Sequence, residues 1–197
     1  MYKHGLKRVI DFILVFIVLV VIWPILLLIT IWLHFANKGA GAFFTQERPG
    51  KDGKIFRVIK FKSMTDERDA EGNLLPDAQR LTKVGRFVRS TSIDELPQLI
   101  NVLKGDMSLV GPRPHMLKHT EEYSHLINKY MVRHFVKPGI TGWAQVTGFR
   151  GETKELWQME GRVQRDIWYI EHWTFILDLY IMYKTVCNVI RGDKEAY

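Results

Sequence analysis

The sequence predicts an α+β fold that is mainly helical, with a membrane-embedded N-terminal helix followed by a globular domain. Residues 12–33 contain no charged side chain. Residues 43–61 hold two short apolar stretches separated by turn-forming residues, which is typical of a small β-hairpin. Several later segments place apolar residues three and four positions apart, the spacing of amphipathic helices. We therefore divide the chain into a membrane-embedded part, residues 1–36, and a cytosol-facing domain, residues 37–197.

The apolar run at residues 12–33 is long enough to cross a membrane. At 1.5 Å per residue, about 22 helical residues reach about 33 Å, which exceeds the hydrocarbon core of a bilayer. A signal peptide would have a shorter apolar region, about 7–15 residues. Pro24 predicts a kink near the middle, and basic residues flank the run on both sides. The charge distribution therefore leaves open both a spanning helix and a re-entrant helix–break–helix.

The segments between the hairpin and the C-terminus alternate between helix and loop. The hairpin strands are predicted at residues 43–44 and 55–61, joined by the loop RPGKDGK. The further predictions are a polar loop or broken helix at 65–79, a basic lead-in at 80–88, an amphipathic helix at 118–134, a turn-rich loop at 136–148 and a charged helix at 156–169.

The last segment, residues 168–190, is rich in Trp, Tyr and Ile but is interrupted by charged residues. Such a composition suits an amphipathic helix at the membrane–water interface, where aromatic rings are partly buried and partly hydrated. An ordinary core helix is the alternative. We predict an interfacial C-terminal helix.

The chain is organised around the stretch RSTSIDELPQLINVLKGDMSLVGPRP at residues 89–114. Pro97 is tolerated only in a first helical turn, so the helix is expected to begin at or just before Asp94. A capping box between Ser92 and Glu95 is the alternative start. In both cases Asp94 and Glu95 lie at a helix N-terminus, whose partial positive charge favours the ionised carboxylates. An ionised carboxylate suits a nucleophile or a metal ligand better than a general acid.

Composition narrows the classes of partner. Cys187 is the only cysteine, which excludes an intrachain disulfide and a cysteine-based zinc site. The net charge of +7 favours an anionic membrane surface or phosphate-bearing substrates. No nucleic-acid-binding motif or concentrated basic stripe is present, so no nucleic acid partner is expected. Taken alone, an adjacent Asp–Glu pair is most often only the cap of a surface helix.

Five blocks of sequence resemble the bacterial sugar transferase family. They are STSIDELPQLINVLKGDMSLVGPRP, VKPGITGWAQVTG, FFTQERPGKDGKIF, KFKSM and RLTKVGRFVRSTS, and the likeness extends in order over almost the whole chain. Members of that family are monotopic phosphoglycosyl transferases that begin glycan assembly on polyprenyl phosphate. The resemblance implies a re-entrant membrane helix bent at Pro24. It also implies a location on the cytosolic face of the bacterial inner membrane.

The resemblance further implies a two-step reaction. Asp94 would attack the β-phosphate of a UDP-sugar and expel UMP, leaving a phosphosugar on the aspartate. Polyprenyl (undecaprenyl) phosphate would then take the sugar-1-phosphate, and downstream glycosyltransferases would extend the product. Glu95 would hold Mg²⁺, to which Asp94 can add a second carboxylate, while Lys60, Arg89 and Arg113 would bind phosphate groups.

Two further positions and the sugar are less closely defined. Gln145 is predicted to contact the nucleotide or the acceptor, or else to shape its turn. Asp166 matches an acidic position of the family and is predicted to bind substrate or to pair with an arginine. The run FRGET after residue 148 resembles members that use UDP-glucose or UDP-galactose.

Two other functions compete with this interpretation. The same carboxylates and arginines would serve a magnesium-dependent hydrolase of lipid phosphates or pyrophosphates. A non-enzymatic, membrane-anchored basic module would bind anionic lipid without needing paired carboxylates.

Overall fold

A computed structural model describes residues 5–151, 153 and 155–191. The helices are α1 (Leu6–Ala36), α2 (Asp77–Arg80), α3 (Lys83–Ser90), α4 (Gln98–Lys104), α5 (Leu117–Leu126), α6 (Trp143–Val146), α7 (Leu156–His172) and α8 (Phe175–Arg191). The strands are β1 (Phe43–Pro49), β2 (Ile55–Phe61), β3 (Ser108–Val110) and β4 (Gly139–Thr141). The described residues also form 3₁₀ helices at Lys51–Gly53, Ile93–Glu95 and Tyr130–Phe135. The prediction of a mainly helical α+β protein with a small hairpin is confirmed.

The apolar N-terminal run forms α1, a single helix of 31 residues. Within the described part of the chain it alone is long and apolar enough to cross a membrane. Helical structure continues through Pro24, so no interruption of the helix is seen at that residue. The long apolar helix is therefore confirmed, and the re-entrant path stays a prediction.

One stripe of α1 is packed against the rest of the protein along its length. Val15 lies in a core cluster with residues from β2 and α4, and Leu33 lies in a second cluster with residues from β2 and α3. Between them, Leu19, Ile22 and Leu26 are partly buried against the same clusters. These positions recur every three or four residues, so they share one helical face. The opposite face is apolar and exposed.

The hairpin is antiparallel, with a register that runs from Phe43 opposite Phe61 to Pro49 opposite Ile55. Helix α4 is fixed against it by Asn101, which is fully buried. The Asn101 side chain accepts a hydrogen bond from Ile59 N at 3.0 Å and donates to Arg57 O at 2.8 Å. This paired contact satisfies both ends of the amide and sets α4 beside β2.

Helix α3 packs closely against the chain that follows β2. A Cβ added at Gly85 would lie 1.8 Å from Ser63 O, so only glycine fits there. Thr82 caps the helix by accepting a hydrogen bond from Gly85 N at 2.9 Å. The cap and the glycine together carry Arg89, in the last turn of α3, towards β2.

The single helix predicted at residues 118–134 is wrong. Helix α5 ends at Leu126, Lys129 is left-handed with φ of 60°, and a 3₁₀ segment follows. The change of direction buries Tyr130 and Arg133, and Arg133 reaches Asp166 on α7. The chain forms the buried Arg133–Asp166 ion pair instead of continuing as a helix, and residue spacing alone does not reveal this outcome.

The turn-rich stretch at residues 136–148 contains β4 and the short helix α6. Strand β4 pairs in parallel with β3, a pairing that the sequence did not predict. A Cβ at Gly139 would lie 2.1 Å from Gly111 N, so the two segments come together only because both positions are glycine.

The two C-terminal helices meet at a break near residue 173. The charged helix predicted at residues 156–169 is confirmed as α7, whereas the predicted segment 168–190 begins inside α7 and continues as α8. Helix α8 buries Asp178 and Ile181 and exposes a row of apolar side chains that ends at Ile190. Its position at a membrane interface stays a prediction.

Candidate active site

The two adjacent carboxylates lie on a 3₁₀ turn, Ile93–Glu95, that precedes α4. The expected helix start at Asp94 is wrong, because α4 begins at Gln98 with Pro97 as its N-cap. The capping box is also absent, since Ser92 has φ of 58° and its side chain makes no capping hydrogen bond. Pro97 lacks an N–H and therefore fits the position just before α4, which places both carboxylates outside that helix.

Glu95 is held by two cations. Its Oε1 accepts hydrogen bonds from Lys60 Nζ at 2.8 Å and from Arg113 Nη2 at 2.5 Å, and its Oε2 accepts one from Arg113 Nη1 at 3.1 Å. Burial alone would raise the pKa of the Glu95 carboxyl, but Arg113 and Lys60 outweigh it and hold that pKa well below its usual range. Glu95 is therefore ionised and fixes the two cations at the base of the site.

Asp94 lies beside the ion pairs of Glu95 with Lys60 and Arg113, but its environment is different. Among the described residues its carboxylate has no hydrogen bond and no ion pair within 4.0 Å, and it lines an open cavity of about 680 Å³. Burial and the charge of Glu95 raise the pKa of Asp94 to about 6, against the pull of Lys60, Arg113 and Arg89. The expectation that a helix N-terminus would favour ionisation of both carboxyls is therefore wrong for Asp94. The carboxylate is nevertheless mostly ionised at pH 7 and is unpaired.

The cavity that Asp94 faces is lined by many cations. It brings together the three basic residues predicted from the sequence, Lys60, Arg89 and Arg113. It also contains three arginines that sequence reasoning missed, Arg48, Arg80 and Arg150. Arg80 pairs with Asp77 at 2.6 Å, and Arg150 donates to Ser92 Oγ at 2.6 Å. All three lie in the family-like stretches quoted above, but their approach to Asp94 depends on tertiary contacts. Such a cavity suits a substrate with several phosphate charges.

Gln145 and Asp166 do not line this cavity. Gln145 lies in a neighbouring apolar cavity of about 220 Å³ on the other side of Glu95, where its Nε2 donates to Ile140 O at 3.1 Å. Asp166 is buried behind the site and accepts hydrogen bonds from Arg133 Nε at 3.1 Å and Nη2 at 2.7 Å. Arg133 in turn donates to Arg113 O at 2.7 Å. Asp166 is thus the partner of an arginine that supports Arg113.

The oxygen atoms of Asp94 and Glu95 fit a magnesium ion. Glu95 Oε2 accepts a single hydrogen bond and keeps a lone pair, while the Asp94 carboxylate is unpaired among the described residues. Magnesium commonly takes one or two carboxylates and completes its shell with water and substrate phosphates. No group of three or more His, Cys, Asp or Glu side chains suited to a metal occurs in the described ranges.

Comparison with known proteins agrees with this geometry. The sequence profile described as bacterial sugar transferase matches residues 2–192, which is nearly the whole chain. The chain belongs to the bacterial sugar transferase family. This sugar transferase is 47% identical over 195 residues to a UDP-glucose:undecaprenyl-phosphate glucose-1-phosphate transferase of Xanthomonas campestris pv. campestris, a match that covers 97% of the chain.

Two further relatives show the same pattern. The sugar transferase is 50% identical over 195 residues to a protein of the same name from Klebsiella pneumoniae, covering 97% of the chain. It is 48% identical over 188 residues to the uncharacterized sugar transferase EpsL of Bacillus subtilis (strain 168), covering 95% of the chain and 89% of EpsL. The chain spans only 40% and 41% of the Xanthomonas and Klebsiella proteins.

Proposed function

We propose that this sugar transferase moves a sugar-1-phosphate from a UDP-sugar to polyprenyl phosphate and releases UMP. The observation that carries the proposal is the unpaired carboxylate of Asp94 in a cation-lined cavity, next to a glutamate that is already committed to Lys60 and Arg113. Family membership supports the same reaction, because similar proteins are named as transferases of this kind.

In the first step, Asp94 is the nucleophile. An oxygen of its carboxylate forms a bond to the β-phosphorus of the donor, and the bond from that phosphorus to the bridging oxygen breaks. The electron pair stays on the UMP that leaves, so no proton transfer is needed. Arg89 and Arg113 line the same cavity and stabilise the charge on the phosphate oxygens.

In the second step, the phosphate of the polyprenyl acceptor attacks the phosphorus of the aspartyl-phosphosugar. The bond to the Asp94 oxygen breaks, and the free carboxylate is restored. Two successive displacements at one carboxylate allow a water-soluble donor and a lipid acceptor to use the site in turn.

A magnesium ion, held by Glu95 and Asp94, would supply positive charge to the transferring phosphoryl group when bound. Glu95 itself keeps Lys60 and Arg113 in place, at 2.8 Å and 2.5 Å. Glu95 thus has a positioning role, and Asp94 is the residue that reacts.

The contacts of α1 argue against a path that spans the bilayer, and we propose that both of its ends lie on the same side, as in a re-entrant path. Near its start, Lys7 pairs with Asp178 at 2.7 Å, and near its end Leu33 is buried against the cluster that contains Val88. A straight helix of 31 residues is about 46 Å long, so a crossing would carry one end to the far side of the membrane. Both ends instead contact one globular domain. We place residues 1–36 in the cytosolic leaflet of the inner membrane and residues 37–197 at its surface, with α8 at the interface.

The relatives named above for UDP-glucose make that sugar nucleotide the first donor to test, with UDP-galactose second. No observation favours the hydrolase or the non-enzymatic module. The lipid-linked sugar would be the substrate for glycosyltransferases that extend it.

The test is the release of nucleotide from a panel of UDP-sugars with magnesium and polyprenyl phosphate. We expect UMP from one sugar, and a loss of at least about 1,000-fold in Asp94→Asn, because the amide is no nucleophile. Asp52→Asn, an exposed carboxylate, is the matched control and should keep full activity. UDP as the product would indicate glycosyl transfer, and inorganic phosphate would indicate hydrolysis; either result would reject the proposal.

A further inference from the structure

A second cavity, of about 270 Å³, adjoins the one that Asp94 faces and shares Arg48, Lys60 and Arg113 with it. Arg162 and two histidines, His115 and His119, also line it. No carboxylate occurs among the described residues that line this second cavity. One carboxylate outside this lining, Glu95, serves both Lys60 and Arg113. With Arg48 and Arg162 added, the cations that line the cavity carry more positive charge than Glu95 can offset.

Within the described residues, the hydrogen-bond partners of Arg162 are neutral groups. It donates to Phe149 O at 3.0 Å and Gly151 O at 2.6 Å, and its Nη1 lies 3.3 Å from His115 Nε2. Burial, followed by the charges of Arg133 and Arg113, lowers the pKa of Arg162 to about 10, although the charge of Asp166 acts in the opposite direction. The side-chain hydrogen bonds of Asp166 come from Arg133, so this carboxylate is shared between two arginines.

His115 lies between these arginines but does not offset their positive charge. Burial and the charges of Arg133 and Arg162 lower the pKa of His115 well below its ordinary value, so this ring is neutral. Its Nδ1 lies within hydrogen-bonding distance of Arg133 and Tyr130, and its Nε2 faces Arg162. A neutral ring between two guanidinium groups offers no negative charge to either.

Arg48 faces the cavity from the end of β1. Its one side-chain partner among the described residues is Gln46, a neutral amide. Burial and the charge of Arg113 lower the pKa of Arg48 to about 10. Burying the charged side chains of Arg48 and Arg162 without a counter-ion costs folding free energy, and an anion bound between them would reduce that cost.

We propose that the cavity between Arg48 and Arg162 binds the nucleotide's α-phosphate, which becomes the phosphate monoester of the departing UMP. This inference rests on the proposed function and adds where the leaving group is held. When the bond between the β-phosphorus and the bridging oxygen breaks, the α-phosphate gains one negative charge. Cations placed at this phosphate therefore stabilise the transition state more than the bound donor.

A phosphate monoester is also present on the lipid acceptor, but the walls of the cavity favour the nucleotide. Its apolar lining is limited to Val58, Pro114 and Met116, and the remaining described side chains there are polar or charged. A polyprenyl chain needs a continuous apolar surface, and the longest rows of exposed apolar side chains among the described residues are on α1 and α8. Neither helix lines the cavity.

The experiment measures the dissociation constant for UMP by calorimetry, on the full chain in detergent micelles. The variants are Arg48→Gln and Arg162→Lys. The matched control is Arg57→Gln, an exposed arginine on β2 whose side chain pairs with Glu47 at 3.5 Å. We expect UMP affinity to fall at least tenfold in both variants and to stay unchanged in the control. Farnesyl phosphate, a short prenyl phosphate, serves as the competing probe, and thermal unfolding verifies that each variant is folded.

Each outcome tests the phosphate site independently of the proposed transfer reaction. Unchanged UMP affinity in the folded Arg48→Gln variant would overturn it, even if the wild type releases UMP from a UDP-sugar. Displacement of UMP by farnesyl phosphate with the same dependence on both arginines would overturn it in favour of the acceptor. Weaker UMP binding in both variants, without competition by farnesyl phosphate, would support the phosphate site. That support would hold even if no UDP-sugar were turned over, a result that would reject only the reaction.

Discussion

Ser92 has a left-handed backbone immediately before the two carboxylates, with φ of 58°. This conformation is uncommon for residues other than glycine, asparagine and aspartate, and it costs free energy. Here it turns the chain out of α3 and into the 3₁₀ turn that presents Asp94 to the cavity. Its hydroxyl also accepts a hydrogen bond from Arg150 Nη2 at 2.6 Å, which connects the turn to the far wall.

Replacing Ser92 by valine should harm both stability and activity. A β-branched residue resists positive φ, so we expect Ser92→Val to lower the free energy of unfolding by about 1–3 kcal/mol and to slow UMP release. Ser92→Asn should be tolerated, because asparagine adopts this conformation readily and can still accept from Arg150. Thermal unfolding and nucleotide release would be measured side by side. Equal behaviour of the two variants would show that the turn does not depend on Ser92.

At the scale of single residues, the sequence predicted which carboxylates and cations meet at the candidate site, but not their electrostatic surroundings. Asp94, Glu95, Lys60, Arg89 and Arg113 were named from family-like motifs, and the structure brings all five to one cavity. The pKa of Asp94 was not predictable, because it depends on burial and on the nearby charge of Glu95 rather than on a helix end. Residues brought in by packing, such as Arg48 and Arg162, have no local signal.

A buried ion pair joins the first turn of α1 to the first turn of α8. Lys7 Nζ donates to Asp178 Oδ2 at 2.7 Å, and both side chains are almost fully buried. The same carboxylate accepts hydrogen bonds from Tyr169 at 2.7 Å and Trp173 at 3.2 Å. The pair therefore fixes the direction in which α1 leaves the globular domain.

Removing the lysine should be strongly destabilising. Lys7→Met leaves a buried carboxylate without its cation, and we expect a loss of about 3–5 kcal/mol in the free energy of unfolding. Lys38→Met is the matched control, because Lys38 and Glu67 are also 2.7 Å apart but exposed, and such a pair contributes only about 0–1 kcal/mol. Chemical denaturation of both variants in the same detergent measures the difference. Similar losses in the two would refute the assigned role of the buried pair.

Secondary structure was predictable where it depends on local pattern and turn chemistry. The hairpin, α7 and the long apolar helix were found in this way. The helix predicted at residues 118–134 failed, because the burial of Arg133 against Asp166 overrides the helical periodicity. The parallel pair of β3 and β4 joins segments about 30 residues apart and depends on a glycine contact, which no local pattern reports.

For the molecule as a whole, the re-entrant path predicts that both chain ends face the cytosol. Epitope tags at Met1 and Tyr197 would be exposed to an added protease in bacterial spheroplasts or in inside-out vesicles. We expect both tags to be protected in spheroplasts and both to be cleaved in the vesicles, because both ends of α1 contact one domain. A tag on Met1 cleaved in spheroplasts, with the tag on Tyr197 protected, would establish a spanning helix.

The packing of α1 also has a consequence for how the protein folds during its synthesis. Lys7 and Asp178 are 171 positions apart, so α1 is synthesised long before the segment that supplies its ion-pair partner. During that interval the apolar surface of α1 has no partner in this domain, and Val21 and Leu28 are still 69% and 67% exposed in the folded protein. On the proposed membrane location, α1 would enter the bilayer before the fold is complete. The amount of folded protein would then depend on delivery to the membrane as well as on translation.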